Sequence, residues 1–163
     1  MWWNPVMAKR SGDGFLQCAD GHVRWGLFGA AGVLFALGDG PEVEVLLQLR
    51  SAHAHEGGTW SCPGGAIDEG ESTLDAALRE AAEEVGAPPE PWSVVGEYVF
   101  APASDWHYTT AVVRVPHRFG STVNFETEDV RWCTPDRVAE LPLHPGFAAA
   151  WPHLRTLLGP EGE

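Results

Sequence analysis

The sequence predicts an α+β fold, an α/β/α sandwich in which helices flank a mixed β-sheet. Three observations support this prediction. Strand-like apolar segments lie on both sides of a strongly helical segment at residues 72–85, a second helical segment lies near the end of the chain, and 163 residues are enough for one domain. We expect residues 24–160 to form that domain, preceded by an N-terminal arm at residues 1–23.

Apolar and β-branched runs that end at Gly, Pro or Asp indicate the strands. The first run, residues 24–37, is followed by a turn at residues 38–41 and by the partly alternating segment 42–50, which together predict a hairpin of two strands. Further strands are predicted at residues 59–62, 93–101, 108–115 and 129–133. Residues 1–24 have no periodicity that predicts an element.

The segment from Ser72 to Val85 has the clearest helical period in the chain. Ser72 and Asp75 resemble a capping box at its start, and Gly86 supplies a stop at its end. A short helix is expected to begin at Pro135. A last helix is expected over residues 147–158, interrupted at Pro152 and ended by Gly159-Pro160.

Composition excludes several classes of function. Ten basic residues against 23 acidic ones give a net charge of −13, which opposes binding of a nucleic acid polymer. The longest apolar stretch, residues 26–37, is about half of the ~20 residues that a membrane-spanning helix needs. The three cysteines are odd in number and far apart, and no secretory leader is recognisable. We therefore expect a cytoplasmic protein with no membrane partner.

The predicted helix at residues 72–85 carries an acidic cluster. Glu80, Glu83 and Glu84 are spaced i, i+3 and i+4 and so share one face of the helix. Like charges at these spacings cost about 0.2–0.5 kcal/mol per pair on an isolated helix. A hard divalent cation such as Mg²⁺ or Mn²⁺, which prefers oxygen ligands and binds phosphate oxygens as well, would relieve this repulsion.

Gly65, Glu71 and the run REAAEEVGA at residues 79–87 resemble the Nudix box of the Nudix hydrolases. All fixed positions of the box are present. The sequence departs from the family pattern at Ala81 and Ala87, where the family prefers a bulky aliphatic residue. The strands before and after the box are also similar to the single-domain layout of the family.

The resemblance implies hydrolysis of a diphosphate linkage in a nucleoside diphosphate derivative, with Mg²⁺ or Mn²⁺ as the cofactor. It implies that Glu80, Glu83, Glu84 and the carbonyl of Gly65 are metal ligands. Catalytic roles fall to Glu80, Glu84 and Arg79, of which Arg79 orients a box glutamate, while Glu71 supports the junction of loop and helix. Candidate substrate-binding residues are Glu71, Trp60, Trp106, Glu126 and Glu128.

Several alternatives stay open at this point. Family members use either a box glutamate or an acidic residue on a later loop as general base; we favour Glu80 over Glu126 and Glu128. The substrate is a small nucleotide, either a nucleoside triphosphate, including oxidised ones such as 8-oxo-dGTP, or an ADP-ribose-type compound. The spacing of Pro102 from the box resembles ADP-ribose-cleaving members.

Two further readings concern binding rather than catalysis. A non-catalytic Nudix-fold module that binds nucleotides or partners is the alternative function, and the complete box argues against it. A homodimer is a hypothesis that rests on Trp2, Trp3 and the apolar first strand. The pair His53 and His55 could bind a metal, but since no third ligand lies nearby in sequence we expect loop histidines.

Overall fold

A seven-stranded mixed β-sheet forms the centre of the computed structural model, which describes residues 10–52, 54 and 56–159. The strands are β1 (Phe15–Gln17), β2 (Val23–Trp25), β3 (Ala30–Leu37), β4 (Glu44–Arg50), β5 (Trp60–Ser61), β6 (Gly64–Ala66), β7 (Ser93–Ala103), β8 (Trp106–Arg114) and β9 (Thr127–Cys133). The helices are α1 (Thr73–Glu84), α2 (Pro135–Val138) and α3 (Pro145–Leu157).

The sheet has the order β5-β4-β3-β8-β7, with β6 paired to β3 and β9 paired to β4. The β3–β8 pairing is parallel and the other pairings within the sheet are antiparallel. The predicted hairpin is confirmed, since Ala36 of β3 lies opposite Val45 of β4. Strands β1 and β2 form a separate two-stranded sheet.

Helices cover the sheet on both faces, which confirms the α/β/α sandwich. On one face, Val33 and Phe35 of β3 pack against Ala77 and Ala81 of α1. On the other face, Leu34 packs in a cluster that includes residues of α2 and α3. Because β3 is buried on both faces, its sequence is a continuous apolar run rather than an alternating one.

The run at residues 24–37 is not one strand, contrary to the sequence prediction. Gly26 and Gly29 adopt φ angles of +112° and +87°, which glycine tolerates and other residues rarely do. The chain turns there, so Trp25 ends β2 and Ala30 begins β3. Short polar-flanked strands of this kind, like β1 in the arm, carry too little periodicity to be predicted.

Pro152 does not interrupt the last helix, and this expectation is also wrong. Helix α3 runs unbroken from Pro145 to Leu157 with Pro152 inside it. Proline removes one backbone donor and crowds the preceding turn. Burial of Trp151 and Leu154, at 6% and 0% exposure, anchors the helix on either side of that defect.

Four residues to which the sequence analysis gave a role lie outside the described residues, namely Trp2, Trp3, His53 and His55. The homodimer stays a prediction; within the predicted first strand, β3 lies in the middle of the sheet, whereas Trp25 is exposed. Within the described ranges, no helix has the length and apolar character needed to cross a membrane.

Candidate active site

The capped helix α1 holds the acidic cluster in a fixed position against the sheet. Its N-cap Ser72 accepts a hydrogen bond from the backbone N–H of Asp75 at 3.1 Å, as the sequence predicts. At the other end the chain leaves the helix at Val85, and Gly86 adopts a φ of +113°. Glu80, Glu83 and Glu84 therefore lie in the last turn and a half of the helix.

The three glutamates differ sharply in exposure. The side chain of Glu83 is 56% exposed and that of Glu80 is 15% exposed. Glu84 is 8% exposed as a residue and points toward the sheet, where the backbone N–H of Gly64 donates to Oε2 at 3.0 Å. The spacing in sequence predicts a shared face but not this gradient of burial.

Arg79 fastens the loop before α1 to the helix itself. Its Nε donates to Glu71 Oε2 at 2.9 Å and its Nη2 donates to Glu71 Oε1 at 3.0 Å. The same Nη2 donates to the carbonyl of Ala66 at 3.0 Å, and Nη1 donates to Glu80 Oε1 at 3.0 Å. Glu71 in turn accepts from the backbone N–H of Asp68 at 3.0 Å. The guanidinium thus orients Glu80 through contacts to both elements.

Gly65 leaves the space that the Glu80 carboxylate occupies. A Cβ atom at this position would lie 2.6 Å and 2.7 Å from Glu80 Oε2 and Oε1, well inside ordinary contact. Strand β6 sets this position, because Gly65 pairs with Ala31 of β3. The Gly65 backbone and the Glu80 carboxylate are consequently neighbours.

Burial and mutual repulsion perturb the acidic groups. Burial raises the pKa of Glu84 to about 8 and the charge of Glu80 adds to the rise, while the Gly64 N–H, the Gln48 side chain and Arg50 oppose it. Burial likewise raises the pKa of Glu80, with a further contribution from Glu83, and Arg79 opposes it. The site therefore concentrates negative charge that its own hydrogen bonds compensate only in part.

The donor atoms at this site match the chemistry of a hard divalent cation. Carboxylate oxygens of Glu80, Glu83 and Glu84 and a backbone carbonyl at Gly65 are the ligands that Mg²⁺ and Mn²⁺ prefer. Among the described residues, no three or more Asp, Glu, His or Cys side chains already converge closely enough to hold an ion.

The loop that follows β8 is fastened to the end of α1. Asn124 Nδ2 donates to the carbonyl of Glu83 at 2.9 Å, and the N–H of Val123 donates to the carbonyl of Glu84 at 3.2 Å. These bonds bring Glu126, an exposed residue of this loop, to the helix end that carries the glutamates. Glu128 is exposed on β9 beyond it.

The two tryptophans lie in separate clusters. Trp106 is 8% exposed, donates from its indole nitrogen to the carbonyl of Trp25 at 3.2 Å and packs beside Cys18. Trp60 is 5% exposed, belongs to the core on the α3 face and is covered by the guanidinium of Arg131. A stacked nucleobase would require either ring to move, and their substrate role stays a prediction.

Sequence reasoning missed three polar residues that the structure brings to this site, Gln48, Arg50 and Asn124. A signal for Gln48 was present, because a glutamine inside the apolar run VLLQL departs from its surroundings. The signal has a physical basis, since buried polar side chains are retained with hydrogen-bond partners.

Comparison with known proteins places these observations in a family. A family model described as NUDIX domain matches residues 27–155. A Mycobacterium tuberculosis protein provisionally named 8-oxo-dGTP diphosphatase 3 is 41% identical over 155 residues, which is 91% of this chain and 71% of that protein. A nucleoside triphosphate pyrophosphatase/Nudix hydrolase fusion protein of Bifidobacterium longum is 38% identical over 153 residues, or 90% of this chain and 32% of the fusion.

Solved structures agree with the sequence comparison. The crystal structure of a Nudix hydrolase from M. smegmatis, RenU, superposes with a TM-score of 0.79 and 40% identity, covering 90% of this chain and 94% of that one.

Proposed function

The chain belongs to the NUDIX family and is a pyrophosphohydrolase. From this premise we propose that it hydrolyses nucleoside triphosphates, including oxidised ones such as 8-oxo-dGTP, with Mg²⁺ or Mn²⁺ as cofactor. The name of the Mycobacterium tuberculosis relative, at 41% identity, supports this substrate class. The ADP-ribose-type substrate is the alternative and is tested in the same assay.

One observation carries the metal dependence. Glu84 is 8% exposed beside Glu80, and the hydrogen bond from Gly64 offsets only part of the cost of burying its charge. Buried carboxylates whose charge is compensated only in part are unfavourable unless a metal ion or proton completes the compensation. We assign Glu80, Glu83, Glu84 and the carbonyl of Gly65 as the groups that would hold the cation.

The cation and the residues of the chain have different roles in the proposed reaction. Bound Mg²⁺ or Mn²⁺ supplies neutralisation of the diphosphate oxygens and a lowered pKa for water. Glu80 is proposed as the general base that accepts the proton of the attacking water while the new P–O bond forms and the bridging P–O bond breaks. Burial and the charge of Glu83 raise the pKa of Glu80, while Arg79 opposes the rise. Arg79 keeps this carboxylate oriented.

The test is release of phosphate or pyrophosphate from a panel of nucleotides. The panel contains normal and oxidised nucleoside triphosphates, ADP-ribose, nucleotide sugars and dinucleoside polyphosphates, each with Mg²⁺, Mn²⁺ or EDTA. We expect turnover of a triphosphate that EDTA abolishes. A preference for ADP-ribose would replace the proposed substrate class.

Two substitutions test the assignment of the ligands. Glu83→Gln and Glu84→Gln should each abolish metal-dependent turnover while circular dichroism stays unchanged. Glu97→Gln is the matched control, because Glu97 is an exposed glutamate on the edge strand β7. Near-normal activity in a folded Glu84→Gln protein would contradict the assignment, and inactivity of the folded wild-type protein on every substrate would favour the non-catalytic module.

A further inference from the structure

Strand β4 presents a row of side chains to helix α1 that changes from apolar to polar along the strand. Leu46 packs in the same cluster as Ala81 and Val85, whereas Val45 and Leu47 pack on the opposite face. Because side chains alternate along a strand, Gln48 lies on the α1 face as the next residue after Leu46 in that row. Gln48 is 2% exposed, so a polar amide is buried where the pattern otherwise calls for an apolar side chain.

Thr127 fixes the orientation of that amide. Its Oγ1 donates to Gln48 Oε1 at 2.8 Å, and Thr127 is itself 4% exposed. Thr127 opens β9, opposite Arg50 in the register with β4. Since the amide oxygen is already bonded to the hydroxyl, the amide NH₂ is the group of Gln48 that remains to donate elsewhere.

Glu84 receives that remaining donor. Its carboxylate lies on the buried side of α1 and accepts from the Gly64 N–H at 3.0 Å. The Gln48 side chain is a second hydrogen-bond donor to the same carboxylate. Glu84 is thus held between the backbone of β6 and the Gln48 side chain of β4. Thr127 supports the contact to Gln48 through its hydrogen bond to the amide oxygen.

A neutral donor suits a carboxylate that must bind a cation. An arginine at this position would add a second positive charge to that of Arg50 and compete with the metal, whereas an amide orients the carboxylate without adding positive charge. Residues that hydrogen-bond to metal ligands set the ligand's orientation, and their loss typically weakens metal affinity or activity about 10–100-fold.

We propose that Gln48, with its amide oriented by Thr127, is a positioning residue that holds the Glu84 carboxylate for the divalent cation, an inference that rests on the proposed function. Neither Gln48 nor Thr127 contacts the substrate in this role. Both act through Glu84.

The test measures Mn²⁺ binding to the full chain by isothermal titration calorimetry, without substrate. Gln48→Met keeps the length of the side chain and removes the donor, and it should weaken Mn²⁺ binding about 10–100-fold. Thr127→Val removes only the hydroxyl and should cause a smaller loss in the same direction. The double variant should bind no more weakly than Gln48→Met alone, because Thr127 acts through Gln48.

Two controls separate positioning from general stability. Thr110→Val alters a threonine that is 2% exposed on β8, on the opposite face of the sheet from α1, and should leave Mn²⁺ affinity unchanged. Glu84→Gln removes an assigned metal ligand and should abolish Mn²⁺ binding. If Gln48→Met does not fold by circular dichroism, Thr127→Val alone decides the question.

The outcomes distinguish the two proposals. Wild-type affinity in folded Gln48→Met or Thr127→Val, together with loss of binding in Glu84→Gln, would overturn the positioning role and leave the proposed function standing. Additive losses in the double variant would also overturn it, since independent packing effects add. Absence of Mn²⁺ binding in the wild-type protein would overturn the proposed function and this inference together.

Discussion

Replacing Gly65 with alanine tests the site through a single methyl group. The backbone of Gly65 lies outside the left-handed region, so alanine suits the conformation of β6. The methyl group would meet the Glu80 carboxylate, with its Cβ 2.6 Å and 2.7 Å from the two oxygens. The carbonyl of residue 65 stays in place, so the substitution isolates the position of Glu80.

The size of the effect follows from these distances. Ordinary contact for a Cβ begins near 3.4 Å, so the nearer Glu80 oxygen, at 2.6 Å, must move by at least about 0.8 Å while Arg79 holds the carboxylate at 3.0 Å. Displacements near 1 Å in a catalytic group can cost about 100-fold in rate. We therefore expect kcat to fall about 100-fold, equivalent to about 2.7 kcal/mol in the activation free energy.

The assay is steady-state hydrolysis of the preferred nucleotide, with urea unfolding of each variant measured in parallel. Gly96→Ala is the matched control, because its methyl would meet only the movable end of Leu157 at 3.1 Å on the other face of the sheet. Gly64→Ala provides the contrast, since its methyl would lie 2.6 Å from the backbone oxygen of Ala31 and should destabilise the fold itself. Full activity in Gly65→Ala would refute the argument that Glu80 needs this space.

Three further predictions concern helix α1 and the segment between β5 and β6. Arg79→Lys should lower kcat/KM at least about tenfold, because lysine cannot reproduce the paired bonds to Glu71 together with the bond to Glu80; near-normal kinetics would contradict this. Ser72→Ala should reduce the free energy of unfolding by about 1 kcal/mol in a urea titration, and an unchanged midpoint would show that the cap contributes nothing. Burial raises the pKa of Cys62 to about 12, with a contribution from Glu84, so at pH 8 its thiol should react with Ellman's reagent only after denaturation. Rapid labelling of Cys62 in the folded protein, identified by mass spectrometry, would contradict that burial.

Helix α1 shows what the sequence could predict. Its cap, its stop and its buried face are properties of local spacing, and the structure places the helix at Thr73–Glu84 with Ser72 as its N-cap. The contact between Ser72 and Asp75 lies within one turn, so no knowledge of the rest of the fold was needed. The same holds for the hairpin of β3 and β4.

The exposure of the glutamates could not be predicted in this way. Spacing places Glu80 and Glu84 on one face, but which of them is buried depends on the sheet across from α1. The partners of Glu84, Gly64 and Gln48, come from β6 and β4, which lie 20 and 36 residues earlier in the chain. Such contacts follow from topology, which a periodicity argument does not contain.

The burial gradient gives the three glutamates different chemical characters on one helix. Glu83 is exposed, Glu80 is bonded to Arg79, and Glu84 is buried and accepts a hydrogen bond from the Gly64 N–H. Arg79 is already shared among Glu71, Glu80 and a backbone carbonyl, and Arg50 offsets only part of the rise in the pKa of Glu84. In a chain of net charge −13, a polyphosphate therefore needs an added cation to approach this surface. The hydrogen bonds from Gly64 and Gln48 orient the Glu84 carboxylate but compensate its buried charge only in part, and a bound cation would supply the rest.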